Sequence, residues 1–165
     1  MCGIAGFWRN TSDQSTDWLE EIASTMANTL VHRGPDDCGT WVDQEVGVAF
    51  GHRRLSIIDI SDAGHQPMVS ANGRYVIIYN GEVYNFKELR QQLEQLGHTF
   101  RSHSDTEVML AAFVQWGPSS SLERFNGMWA PAGAGGGLGG GAGGHDPLGA
   151  SVTATAVASS VFCVP

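Results

Sequence analysis

Basic residues are scarce in this sequence. Nine lysines and arginines stand against 17 aspartates and glutamates, a net charge of -8 over 165 residues, which argues against nucleic acid or an anionic membrane as partner. Cysteine is scarcer still. Cys2, Cys38 and Cys163 form neither a close-spaced pair nor an even-numbered framework, which fits a reducing compartment, with the cytoplasm as the default. No run of about 18 apolar residues occurs, and the apolar start is broken by Arg9 and Asn10, so neither a membrane span nor a signal peptide is expected. His32, His52, His65, His98 and His103 lack zinc-like spacing, and no metal is expected.

Charge of either sign all but vanishes after residue 130. All nine basic and 16 of the 17 acidic residues precede that point, whereas residues 131–165 hold ten of the 22 glycines and one charge, Asp146. Two unlike segments follow: a folded α+β unit over 1–130 and a Gly/Ala-rich tail over 131–165 expected to be largely disordered. The glycines from Gly133 to Gly144 lack the apolar strand, lysine and following helix of a phosphate-binding loop. Within the tail, 152–164 is the part able to form a strand.

Periodicity places the elements of the first segment. Residues 2–8 read as a buried strand with two glycines. Trp18, Ile22, Met26 and Leu30, widened by Leu19 and Ala23, predict a helix with one apolar face, stopped at Gly34-Pro35. Residues 40–42 and 46–50 predict a strand pair, and 99–101 a short strand. Tyr75-Val76-Ile77-Ile78-Tyr79 predicts a central strand buried on both faces, ending in an Asn80-Gly81 turn. Capping boxes at Asn85/Glu88 and Ser104/Glu107 open two more helices.

Four places in this frame carry chemistry. If Met1 is removed, Cys2 becomes the amino terminus and carries a nucleophilic thiol beside an α-amine able to take its proton; its ordinary reading is a small buried strand residue. The pair Arg53-Arg54 is either a solvated rim or, through a rigid guanidinium fork, a clamp for a carboxylate. Asn80-Gly81 is either a hairpin turn or a site at the end of a central strand. Asp105 is either a helix-dipole carboxylate or an acceptor for an ammonium group.

In chain order, Cys2, His32-Arg33-Gly34-Pro35-Asp36, Arg54-Leu55-Ser56-Ile57-Ile58-Asp59, Asn80-Gly81-Glu82-Val83-Tyr84-Asn85 and Ser104-Asp105-Thr106-Glu107 closely resemble the glutaminase domain of class II glutamine amidotransferases. Gly64-His65-Gln66-Pro67-Met68 and Glu123-Arg124-Phe125-Asn126-Gly127-Met128-Trp129-Ala130 resemble the glutamine-hydrolysing asparagine synthetases among them. The resemblance covers residues 1–130. It implies an N-terminal-nucleophile hydrolase fold, an αββα sandwich of antiparallel sheets incomplete at its C-terminal end. It implies Cys2 as the nucleophile towards L-glutamine, with the Asn80 side chain and Gly81 N–H as the oxyanion hole. It also implies Arg54 as partner of the substrate carboxylate, Asp105 with Glu82 as partners of its ammonium, and backbone at Ile57 and Ile58 completing the pocket. No cofactor is implied for this domain; ATP and Mg belong to a synthetase domain that would receive the ammonia and that this sequence lacks.

After Ala130 the resemblance stops, as a frameshift or altered gene end would produce. Three readings therefore stand: a glutaminase that feeds ammonia to a separate or lost synthetase domain, a catalytically silent fragment or protein-interaction module, and another terminal-cysteine amide hydrolase. Oligomeric state is not legible in the sequence.

Overall fold

The computed structural model describes residues 2–9, 13–56 and 61–135. Two three-stranded antiparallel sheets stack face to face, each covered by helices on its outer side. The first sheet has the order β1 (Gly3–Trp8), β3 (Val48–Arg54), β2 (Asp37–Asp43); the second has β4 (Met68–Val69), β5 (Tyr75–Val83), β6 (Gly127–Gly135). Helix α1 (Thr16–Asn28) packs on the first sheet, and α2 (Phe86–Gln95) and α3 (Asp105–Trp116), followed by the short α4 (Pro118–Leu122), cover the second. The chain is thus the α+β fold expected, with αββα layering.

Strand alternation sorts the side chains between layers. From β3, Val48 and Phe50 face the second sheet and meet Val76 and Ile78 of β5, with Ile4 and Trp41 beside them. The opposite face of β3 turns Ala49 towards Leu19 and Ala23 of α1. On β5, Ile77, Tyr79 and Val83 point outward into the larger core, against Leu89, Leu93, Val108, Met109 and Leu110.

The innermost line of α1 is Leu19, Ala23 and Ala27; Leu19 and Ala23 lie within the expected stripe, whereas Trp18, Ile22 and Met26, its expected centre, are only half-buried. Close approach explains the shift, because a Cβ on Gly51 would lie 2.6 Å from the Ala23 carbonyl oxygen. Only alanine fits where helix and strand touch.

Three local expectations change. The segment 99–101 is not a strand, since the Arg101 N–H donates to the Glu107 carboxylate at 3.0 Å instead of to a ladder. Asn85 is the N-cap residue of α2, but its side chain does not cap the helix. Its side chain accepts from the Asn126 N–H and donates to the Arg124 carbonyl, both at 2.9 Å, which ties the end of β5 to the start of β6. Nor is Asn80-Gly81 a turn: β5 continues through both residues to Val83, pairing Asn80 with Ala130 and Gly81 with Trp129.

β6 also runs on, through the composition break at 131 to Gly135, where it pairs with residues 75–79 of β5. Ala132 and Ala134 pack in the layer between the sheets. The remainder of the tail, including the possible strand at 152–164, lies outside the described residues.

Candidate active site

The two sheets bring four sequence motifs to one end of the layer between them. Cys2 precedes β1, and alternation from Ile4 turns its side chain towards the second sheet. Its sulfur sits beside the backbone of Leu55, 3.4 Å from the N–H and 3.7 Å from the carbonyl oxygen. Antiparallel pairing of Gly3 with Arg53 sets Cys2 against the C-terminal end of β3.

The segment His32-Arg33-Gly34-Pro35-Asp36 clips that strand end. A Cβ on Gly34 would lie 2.4 Å from the Arg53 carbonyl, so only glycine passes there. Asp36 then accepts the Ser56 N–H at 2.8 Å while its own N–H donates to the Arg54 carbonyl at 3.0 Å. The backbone that touches Cys2 is held from both sides.

Arg54 is buried, at 7% exposure, and is no solvated rim. Alternation from Val48 and Phe50 puts it on the face towards the second sheet. Its Nη1 donates to the Ser61 carbonyl at 2.8 Å, and its guanidinium lies against Gly64, where a Cβ would come within 2.1 Å of Nη2. The turn at 61–64 therefore holds the guanidinium in place. Arg53 points the other way, towards α1, and its guanidinium donates to the Asn28 side chain.

Across the layer, β5 supplies the next group. Its short neighbour β4 pairs only with Ile77 and Val76. Beyond β4 that edge of β5 is occupied by side chains. The Tyr84 N–H donates to Asn126 across β6, so by antiparallel alternation the N–H groups of Tyr79, Gly81 and Val83 face the other edge, past the end of β4. Gln66 Oε1 accepts from Tyr79 N–H at 2.7 Å, and Asp105 Oδ2 accepts from Val83 N–H at 3.0 Å. Gly81 presents its N–H between them. A Cβ there would lie 2.4 Å from the Met128 carbonyl, so a side chain is excluded. Asn80 falls with Val76 and Ile78 on the face towards the first sheet, the side on which Cys2 and Arg54 project. Glu82, two residues on, shares that face and is exposed.

Asp105 opens α3 and is 4% exposed. Its Oδ2 accepts both the Val83 N–H and the Tyr79 hydroxyl, each at 3.0 Å. Burial pushes this carboxyl above its ordinary range, and those two bonds pull it back. The Tyr79 phenol stays protonated, held so first by burial and then by the adjacent carboxylate, with smaller contributions from Glu82 and Cys2.

His52, with no solvent exposure, donates from Nε2 to the Tyr79 carbonyl at 3.2 Å. Burial lowers its pKa to about 4, so it is neutral near pH 7. Its Nδ1 is buried and has no partner among the described residues. His52, Tyr79 and Gln66 are the groups around the site that sequence reasoning left out. Ile57 and Ile58 lie outside the described residues. Among those described, no cluster of three histidine, cysteine or carboxylate side chains could hold a metal ion, and no helix is long and apolar enough to cross a membrane.

A family model for the glutamine amidotransferase domain matches residues 1–132. This chain belongs to that family. Among curated relatives, glutamine-hydrolysing asparagine synthetase 1 of Bacillus subtilis (strain 168) is 43% identical over 130 residues, covering 79% of this chain and 20% of the relative. A putative glutamine-hydrolysing asparagine synthetase of Mycobacterium tuberculosis is 41% identical over 141 residues, covering 79% and 21%. The chain thus spans about a fifth of the length of the curated relatives it matches. Among solved structures, the glutamine phosphoribosylpyrophosphate amidotransferase of B. subtilis overlays with a TM-score of 0.47 at 26% identity, covering 56% of this chain and 23% of that one.

Proposed function

We propose that this chain is the glutaminase half of an asparagine-synthetase-like amidotransferase, hydrolysing the side-chain amide of L-glutamine to glutamate and ammonia. The observation that carries the reading is the β5 edge at Gly81. An N–H donor faces outward beyond the end of β4, beside the Asn80 side chain and across the layer from the Cys2 thiol. Two donors aimed at one oxygen are what a tetrahedral intermediate needs.

With Met1 removed, the Cys2 α-amine takes the thiol proton and the thiolate attacks the side-chain carbonyl carbon (Cδ) of glutamine. The oxygen of the tetrahedral intermediate is held by the Asn80 side chain and Gly81 N–H. The C–N bond then breaks, the α-ammonium of Cys2 returns the proton to the leaving nitrogen, and ammonia departs. Water attacks the γ-glutamyl thioester, the C–S bond breaks, and glutamate leaves with the thiol restored.

Arg54 binds the substrate α-carboxylate, and Asp105, with Glu82, takes the α-ammonium. Opposed charges at the two ends of the pocket select a free amino acid, since a peptide-bound glutamine leaves a buried charge unpaired. This domain needs no cofactor. ATP and Mg would serve a synthetase domain or subunit that accepts the ammonia, in the cytoplasm.

The test is glutamate release from glutamine by the purified chain, with intact mass to establish Met1 removal. The Cys2→Ala variant is expected to fall to background, at least 1,000-fold down. Equal release by that variant, or full activity with Met1 retained, overturns the reading.

A further inference from the structure

Tyr79 is tied at every polar atom it owns. Its N–H donates to Gln66 Oε1 at 2.7 Å, its carbonyl accepts from His52 Nε2 at 3.2 Å, and its hydroxyl donates to Asp105 Oδ2 at 3.0 Å. Gln66 is itself anchored, donating from Nε2 to the Thr106 hydroxyl at 3.3 Å, one residue beyond Asp105 on α3. The residue is 3% exposed. It immediately precedes Asn80 on β5, and its ring crosses to the helical side. Three anchors on one side chain and its peptide exceed what packing in an apolar core requires.

We propose that Tyr79 is a positioning residue that holds the Asp105 carboxylate aimed and ionised for the α-ammonium group of a free amino-acid substrate, an inference that rests on the glutaminase reading above. The physical need is specific. A carboxyl this deeply buried drifts towards its neutral form, and a neutral acid is a poor partner for ammonium. Each donor bound to the charged form opposes that drift. The Val83 N–H supplies one such donor from the backbone and cannot be varied by substitution. The Tyr79 hydroxyl is the side-chain donor, and because it stays protonated it keeps donating throughout the working pH range. Glu82 and Cys2 are the other ionisable groups that act on the phenol, and both disfavour its ionisation. The same residue carries the peptide that leads into Asn80, so the ammonium acceptor and the oxyanion donors are set by one rigid unit.

The experiment compares wild type with Tyr79→Phe, which keeps the ring and deletes the hydroxyl. Two substrates are used: glutamine, and glutaramate, the same amide without the α-amino group. The variant is expected to raise KM for glutamine about tenfold, to leave kcat within about twofold, and to leave glutaramate hydrolysis nearly unchanged. Preference for glutamine over glutaramate then falls about tenfold. The acid limb of kcat/KM for glutamine moves to higher pH, since losing a donor raises the carboxyl pKa. A merely structural tyrosine would instead lower the active fraction with KM and preference intact, and that result overturns the proposal.

A carboxyl-carbon NMR titration of Asp105 gives a readout independent of turnover. Its midpoint must rise in Tyr79→Phe, and an unchanged midpoint overturns the proposal. If wild type releases no glutamate, the glutaminase reading fails by itself, and the titration alone decides whether Tyr79 governs Asp105. Should Tyr79→Phe not fold, 3-fluorotyrosine placed at 79 keeps the hydroxyl and strengthens its donation. The Asp105 midpoint must then fall, and no fall overturns the proposal.

Discussion

The two faces of β5 are built on different principles. Its outward face sends Ile77, Tyr79 and Val83 into a core where, among the described residues, seven more buried side chains from two helices and the turn before β6 meet them. Its inward face sends Val76 and Ile78 into a layer with only two buried partners, Val48 and Phe50, and then turns polar at Asn80 and Glu82. The first face holds the fold together by apolar burial. The second gives up burial at one end, where His52, Arg54 and Cys2 come up from the facing sheet. Stability and chemistry are therefore carried on opposite sides of one strand, and substitutions should separate them.

The sharpest separation is expected at Asn80. Asn80→Ala removes one oxyanion donor and should lower kcat for glutamine hydrolysis about 100- to 1,000-fold, with KM little changed. Its half-exposed side chain does not anchor the core, so thermal unfolding should stay near that of wild type. A KM effect alone would remove Asn80 from the oxyanion role.

On the outward face the pattern reverses. Leu93 has no solvent exposure and sits in the large core. Leu93→Ala should cost about 3 kcal/mol of unfolding free energy in urea titrations while leaving kcat per folded molecule unaltered. If kcat fell with the fold intact, the two faces would not be independent.

Much of this division was legible in the sequence, though unevenly. The central strand at 75–79, the α1 stripe and the Ser104 cap follow from periodicity and capping chemistry, which act within a few residues. The extension of β5 to Val83 was not, because its cause is pairing with residues 127–130 of β6, far along the chain. The motif residues Cys2, Arg54, Asn80, Gly81 and Asp105 could be picked out by type and order. The groups that orient them could not. Gln66, His52 and Tyr79 acquire their roles only because β4 stops early and leaves one edge of β5 to side chains. A hydrogen bond from Tyr79 to Asp105 leaves no spacing signal. A tyrosine in an apolar strand followed by an acid in the first turn of a helix was the nearest available sign.

Acid should strike the inward face first. His52 takes up its proton at about 4 when folded, well below the ordinary 6.5. Below pH 6.5 the unfolded chain binds that proton and the folded chain does not, so stability falls as pH falls, and the loss is complete below about 4. Between pH 7 and 5 this contributes about 2 kcal/mol of lost stability. Asp105 runs the other way, because its folded carboxyl is pushed up and holds its proton more readily than the unfolded one. The difference between wild type and His52→Gln isolates the histidine. Glutamine can still donate to the Tyr79 carbonyl but does not titrate, so the variant should lose less stability on acidification. Parallel pH profiles for the two proteins would show that His52 is not the acid-sensitive group.

The smallest effect tests whether the inward face extends into the loops. His65 Nδ1 and Asp37 Oδ2 are 2.8 Å apart, with the two side chains 48% and 30% exposed. An exposed pair of this kind contributes less than about 1 kcal/mol to stability. Yet His65 closes the turn whose Ser61 carbonyl and Gly64 backbone hold the Arg54 guanidinium. Loosening that turn should be felt by the substrate carboxylate and not by the core. Asp37→Asn is therefore expected to change unfolding free energy by under about 0.5 kcal/mol while raising KM for glutamine roughly two- to threefold, with kcat constant. A stability loss without a KM change would confine the inward face's polar network to the strands. A KM change without a stability loss would extend it through the loop to the clamp on Arg54.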